Sequence, residues 1–208
     1  MRVILVRHGS TEWLENHLMH GSLDIPLSDL GFNQATEAAK ALSATPIDVI
    51  FTSPLSRCRK TAEIIGDEHG ITPIDIDGFI ERDFGWLEGR SGLNYRRKNP
   101  GKIKGFFLAL MYKIILLVSA EPSRKFKRRV ISAWESIQKG NSQKSVLLVA
   151  HRLVFKVILD HCFRNNRQNQ AEPFAFSNAS ITEIELDDQG IPTLVRLNDT
   201  EHLSVFYD

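Results

Sequence analysis

Ser145-Val146-Leu147-Leu148-Val149-Ala150 is an almost continuous apolar run, and an extended chain of that kind needs both faces covered, as in the interior of a parallel sheet. Two other short runs, Arg2-Val3-Ile4-Leu5-Val6 and Asp48-Val49-Ile50-Phe51-Thr52, repeat the arrangement. Each is followed by a turn that carries cations or imidazoles: Arg7-His8-Gly9, then Ser53-Pro54-Leu55-Ser56-Arg57, then His151-Arg152. In open α/β sheets the crevice at the carboxyl ends of the strands is where sites form. With right-handed crossovers the sequence therefore predicts that Arg7, His8, Arg57 and His151 converge at one sheet edge.

The segments between the runs read mainly as helices. Ser28 is a cap for an amphipathic helix over 31–42, with Ala35, Ala38, Ala39 and Leu42 on one face. Ser53-Pro54 reads as a cap and first helical position, with Leu55, Cys58, Ala62 and Ile65 carrying the helix toward Gly66 or Gly70. Thr72 to Ile76 suits a strand, and 78–92 is a loop rich in glycine and acids. Pro122 opens a helix with Phe126, Val130, Ala133, Trp134 and Ile137 at helical spacing, and 153–159 forms another. Ser180–Leu186 and Thr193–Leu197 flank Asp187-Asp188-Gln189-Gly190, a hairpin near the sheet edge. This alternation predicts a three-layer α/β sandwich with a mostly parallel central sheet flanked by helices. At 208 residues, one domain over 1–208 is expected.

With 42% hydrophobic and 25% charged residues the chain is in the globular range, and a formal charge of +1 gives no general reason to bind nucleic acid. Anion preference must come from local clustering. Cys58 and Cys162 have no metal or CxxC spacing and suit a reducing compartment, and the N-terminus opens on a strand without a long apolar leader. A cytoplasmic location is the expectation.

Two guanidiniums, two imidazoles and a helix N-terminus make an oxyanion site, and the planar forks suit phosphate. There is no GxxxxGK[ST] loop and no evident carboxylate cage for magnesium, so side chains must meet the phosphoryl charge, and neither cofactor nor metal is expected. His17 and His20 have a spacing open to metals but no evident third ligand, which leaves them a loop role beside the pocket. A single histidine after a strand is ordinarily structural. Two histidines and two arginines at three strand ends are not, because buried cations are costly without an anionic partner. A neutral histidine is a competent nucleophile toward phosphorus, and His8 is preferred over His151 because Gly9 beside it lets a substrate approach. The proton donor for the leaving group must come from Glu81, Asp83 or Glu88, among which spacing does not choose.

Leu5 to Trp13, Pro26-Leu27-Ser28 to Gly31 with Gln34-Ala35, Thr52 to Ala62, Glu81 to Gly89, Phe126 to Val130, Val146 to His151 and Asn178 to Thr182 together resemble the histidine phosphatase superfamily, the phosphoglycerate mutase-like fold. The resemblance spans nearly the whole chain. It implies that His8 is phosphorylated, that Arg7, Arg57 and His151 hold phosphoryl oxygens, and that Glu81 is first the acid and then the base. It also implies an inserted helical cap at about residues 90–122 and a substrate site of Arg7, His8, Asn16, Gly21, Arg57, His151 and Arg152. The partner would be a small phosphorylated metabolite or a phosphoprotein. Leu14 stands where many relatives carry asparagine, Arg152 where glycine usually follows the second histidine, and Ala120-Glu121-Pro122 where Gly-Glu-Ser is usual. Phe84 and Gly92 stand where mutases of this kind carry a tyrosine and a lysine, so hydrolysis is favoured over mutase chemistry. A phosphate-binding module without turnover is the remaining alternative.

Residues 105–118 form an apolar stretch interrupted by Lys113 and flanked by basic residues, too short for the roughly 20 needed to span a bilayer. A packed cap helix is the expectation, with a homodimer contact or a membrane contact as alternatives.

Overall fold

Alternation along β1 (Arg2–Arg7) and β4 (Ser145–Ala150) divides the core into two layers, because successive side chains of a strand point to opposite faces. The computed structural model describes residues 1–90, 120–164 and 174–206. On one face Val3, Leu5, Val146 and Leu148 meet α4 (Ser123–Gly140) through Phe126 and Trp134, and α5 (Arg152–Cys162) through Val154 and Ile158. On the other, Ile4, Val6, Leu147 and Val149 meet α2 (Asp29–Leu42) through Ala39 and Leu42, and α3 (Ser56–His69) through Cys58 and Ile65. Both faces of β1 and β4 are thus dry, as their apolar composition requires.

Among the described residues the sheet has the order β3-β2-β4-β1-β5-β6, with β2 at Val49–Thr52, β3 at Ile74–Asp75, β5 at Ile181–Leu186 and β6 at Pro192–Asp199. The first four strands run parallel, and β5 joins β1 antiparallel as the first arm of the expected hairpin. Register decides what the sheet presents. Arg7 pairs with Ala150 and Thr52 with Val149, so the turns after β1, β2 and β4 begin at one level.

The local readings hold with two departures. Ser28 caps α2, its hydroxyl accepting from Gly31 N at 3.1 Å. Helix α3 starts at Ser56, two residues later than Ser53-Pro54 suggested, and its first free N–H at Ser56 donates to the Asp24 carboxylate at 2.7 Å. Ser53 lies ahead of the helix, and its hydroxyl also has a partner in the site. The strand expected over Thr72–Ile76 contracts to two residues at the sheet edge. The helical insertion expected at about 90–122, apart from its edges, and the apolar segment 105–118 lie outside the described residues. Among the described residues no helix is long and apolar enough to cross a membrane.

Candidate active site

His8 follows β1 directly and is buried, its backbone N–H donating to Ala150 O at 3.2 Å and its carbonyl accepting from Ala179 N at 3.3 Å. Its ring Nδ1 lies 2.7 Å from Gly9 O. A carbonyl only accepts, so Nδ1 carries the proton and Nε2 is left with its lone pair. Burial, then the charges of Arg57 and Arg7, hold the imidazole well below the ordinary histidine value, so it is neutral at physiological pH.

Gly9 is needed for close approach, but not for a substrate. A Cβ there would lie 2.2 Å from Gly31 O, and one on Gly31 would lie 1.9 Å from Ser10 O. The glycine advantage assigned to His8 is therefore corrected: Gly9 lets the turn after β1 press on the start of α2. Gln34 completes this seam by accepting from Ser10 N at 2.9 Å.

Arg57, in the first turn of α3, is buried, and its guanidinium donates to Leu23 O at 2.7 Å and Gly21 O at 2.9 Å. Gly21 has φ +55°, which turns its carbonyl at low cost, and its role here is through that carbonyl. Arg7 donates to Phe176 O at 2.7 Å. The Nε atoms of Arg7 and Arg57 are shielded from solvent and find no hydrogen-bond partner among the described residues. Burial lowers both guanidiniums, Arg7 to about 10, yet both stay cationic at neutral pH. A buried and a half-buried cation whose charges act on one another favour an anionic partner.

His151 precedes α5 and faces His8 edge-on, with ring centroids 5.1 Å apart. Its Nε2 and Ser53 Oγ share a 2.9 Å hydrogen bond, and the same Oγ lies 3.5 Å from Leu55 N, just ahead of α3. Buried Cys58 lies 3.4 Å from the same nitrogen, and burial pushes its thiol up to about 12, so it contributes volume, not charge.

The three acids of the 81–88 loop separate by environment. Glu81 is buried, its Oε1 accepting from Arg82 N at 2.8 Å and its Oε2 from Leu153 N at 3.3 Å, in the first turn of α5. Burial raises its pKa, outweighing those two backbone N–H groups and the pull of Arg57 and Arg7. Asp83 accepts from Gly85 N within its own turn. Glu88 bridges Ser22 N at 2.8 Å and Phe84 N at 3.0 Å.

The family model for the histidine phosphatase superfamily (branch 1) matches residues 3–200. This chain belongs to that superfamily. It is an enzyme of the phosphatase class. Among histidine phosphatases and their kin, "Uncharacterized phosphatase PhoE" of Bacillus subtilis is 28% identical over 187 residues, covering 90% of this chain and 89% of that protein. "Phosphoserine phosphatase 1" of Hydrogenobacter thermophilus is 28% identical over 208 residues, covering 100% and 96%. The solved structure of Bacillus stearothermophilus YhfR superposes with a TM-score of 0.79 at 25% identity, covering 97% of this chain and 98% of that one.

Against that histidine phosphatase fold, the residues expected at the site divide. Arg7, His8, Arg57, His151 and Glu81 form one electrostatic cluster, each perturbed by the charge of at least one other. Arg152 is exposed at the start of α5, yet its charge reaches Arg7 and adds to the lowering there. Asn16 is not brought in: it is exposed, and its side-chain amide donates to Glu12 O at 2.8 Å, the carbonyl that its own backbone N–H also reaches at 3.0 Å as α1 (Glu12–Glu15) ends. His20 enters instead of His17. It is buried, stacked on Trp13 and 2.5 Å from Thr11 Oγ1, and burial with Arg57 and Arg7 lowers it to about 4. Among the described residues no group of three or more histidines, cysteines and acids is gathered to hold a metal ion.

Proposed function

We propose that this histidine phosphatase is a metal-independent phosphomonoesterase whose nucleophile is His8 Nε2. The observation that carries the reading is the neutral imidazole of His8, its Nδ1 held on Gly9 O, within reach of the charges of Arg7 and Arg57. In the first step Nε2 attacks phosphorus in line, the N–P bond forms and the P–O bond to the leaving group breaks. Arg7, Arg57 and His151 hold the phosphoryl oxygens as charge develops. Glu81, whose hold on its proton burial strengthens, gives that proton to the departing oxygen. In the second step the Glu81 carboxylate takes a proton from water, which attacks phosphorus, breaks the N–P bond and releases inorganic phosphate.

The substrate is proposed to be a small phosphorylated metabolite, a class supported by the Hydrogenobacter relative named for phosphoserine. Mutase chemistry is disfavoured because Phe84 offers no hydroxyl at a position where a tyrosine would. The unpaired thiols of Cys58 and Cys162 suit the reducing cytoplasm proposed for it. A chelator-treated preparation is expected to hydrolyse an aryl phosphate, and His8→Ala is expected not to. Equal turnover by the two proteins, or dependence on an added metal, contradicts the proposal.

A further inference from the structure

The loop that carries Glu81 is held from behind by Arg129 on α4. Its Nε and Nη2 grip the Glu121 carboxylate in a two-pronged pair, each bond 2.9 Å. Nη1 donates to Gly78 O at 3.0 Å and Ile80 O at 2.6 Å, and Nη2 donates to Glu81 O at 3.1 Å. These contacts use all five N–H donors of the guanidinium, a set no lysine can reproduce. Glu121 adds two backbone ties of its own: its N–H donates to Asp83 O at 2.9 Å, and its carbonyl accepts from Arg82 Nε at 3.0 Å. At Gly78 a Cβ would lie 2.5 Å from Ala133 Cβ, so the loop is already pressed on α4.

We propose that Arg129, braced by Glu121, is a positioning residue that fixes the backbone of Glu81 so that its carboxyl meets the leaving-group oxygen. The proposal rests on the reading of Glu81 as the acid. Arg129 touches the carbonyl of Glu81, not its carboxyl, so it acts through place. The carboxyl is caught on the other side by Arg82 N and Leu153 N. With both ends held, the side chain spans from α4 to α5 beside a cleft of about 420 Å³ whose wall includes Ile80, Glu81 and Arg129. Proton transfer requires hydrogen-bond reach, and a displacement of about 1 Å can cost on the order of a hundredfold in rate.

A misplaced acid has a signature that general weakening of the fold lacks. An alkyl phosphate needs its leaving oxygen protonated, whereas 4-nitrophenyl phosphate departs with little help. In the full-length protein Arg129→Met should lower kcat on the alkyl ester roughly tenfold to a hundredfold. KM and turnover of the nitrophenyl ester should stay within about threefold, since phosphate binding and attack are untouched. Arg129→Lys should not rescue the alkyl ester. Equal losses on both esters, or no loss on either, overturn the clamp. If Arg129→Met does not fold, Glu121→Gln should show the same selective loss in smaller degree. Unfolding of both variants overturns the proposal by assigning the pair to stability. The parent reading fails separately, if His8→Ala retains turnover or if Glu81→Gln shows no dependence on the leaving group.

Discussion

The imidazoles of His8 and His151 stand edge to face, with centroids 5.1 Å apart and planes inclined at 62°, though 143 positions separate them in the chain. Parallel pairing of β1 with β4 creates the relationship, since Arg7 opposite Ala150 makes the next residues of the two strands neighbours. Each ring is held by a different partner, Gly9 O for His8 and Ser53 Oγ for His151. Removing the second partner should leave the first ring in place. Ser53→Ala is accordingly expected to lower kcat/KM by up to about tenfold, the worth of one hydrogen bond, while melting stays near wild type. A loss matching that of His8→Ala would contradict the separate roles.

Arg57 supplies charge and also braces the loop at Gly21 and Leu23. Arg57→Lys keeps the charge but not the planar fork, and kcat/KM should fall roughly a hundredfold to a thousandfold, as when one preorganised oxyanion donor is removed. Steady-state kinetics on an aryl phosphate checks this.

The pH profile should be a bell with assignable limbs. His8 must be neutral to attack, and its pKa is depressed, so activity is lost only as pH falls below the ordinary histidine range. Glu81 must be protonated to act as acid, and its pKa is raised, so the alkaline limb of alkyl ester turnover lies above the ordinary carboxylate range. Glu81→Gln should remove that limb while lowering the plateau. Stability follows the same signs. Depressed folded pKa values at His8, His20 and His151 contribute stability that is present above the unfolded histidine value and lost as pH falls. The raised Glu81 works in the opposite direction, its contribution being lost as pH rises through its folded value. Melting temperatures across an acid series should decline, and His20→Gln should flatten the decline.

Phosphate should stabilise the fold because its charge offsets the mutual repulsion of the Arg7 and Arg57 guanidiniums. At about a hundred times Kd, inorganic phosphate is expected to add ~2.7 kcal/mol, read as a rise in Tm. Replacing Arg57 should abolish most of the rise.

Much of the fold, and the convergence of most of the candidate residues, was legible in the sequence. Continuous apolar runs marked β1, β2 and β4, and the turns after parallel strands gather at one edge of the sheet, so His8, Arg57 and His151 could be placed together without coordinates. Ser28 was readable as a cap because a helical period begins just after it. The features that stayed hidden depend on contacts remote in sequence. Glu81, Asp83 and Glu88 look alike in spacing, and burial against α5 separates the first from the others. Ser53 looked like a cap until β4 brought His151 to it across 98 positions. Gly9 looked like an opening for substrate, whereas Gly31 fills the space. Arg129 was indistinguishable in the sequence from the other basic residues that follow the 105–118 stretch.

The most direct test of His8 as nucleophile is rapid acid-free quenching of the enzyme with a phosphoryl-labelled ester, with the label then mapped to its residue. The predicted result is an acid-labile, base-stable label on His8 that forms and decays within turnover, and that is missing from His8→Ala. Turnover by wild type with no trapped label on His8, or turnover retained by His8→Ala, would contradict it.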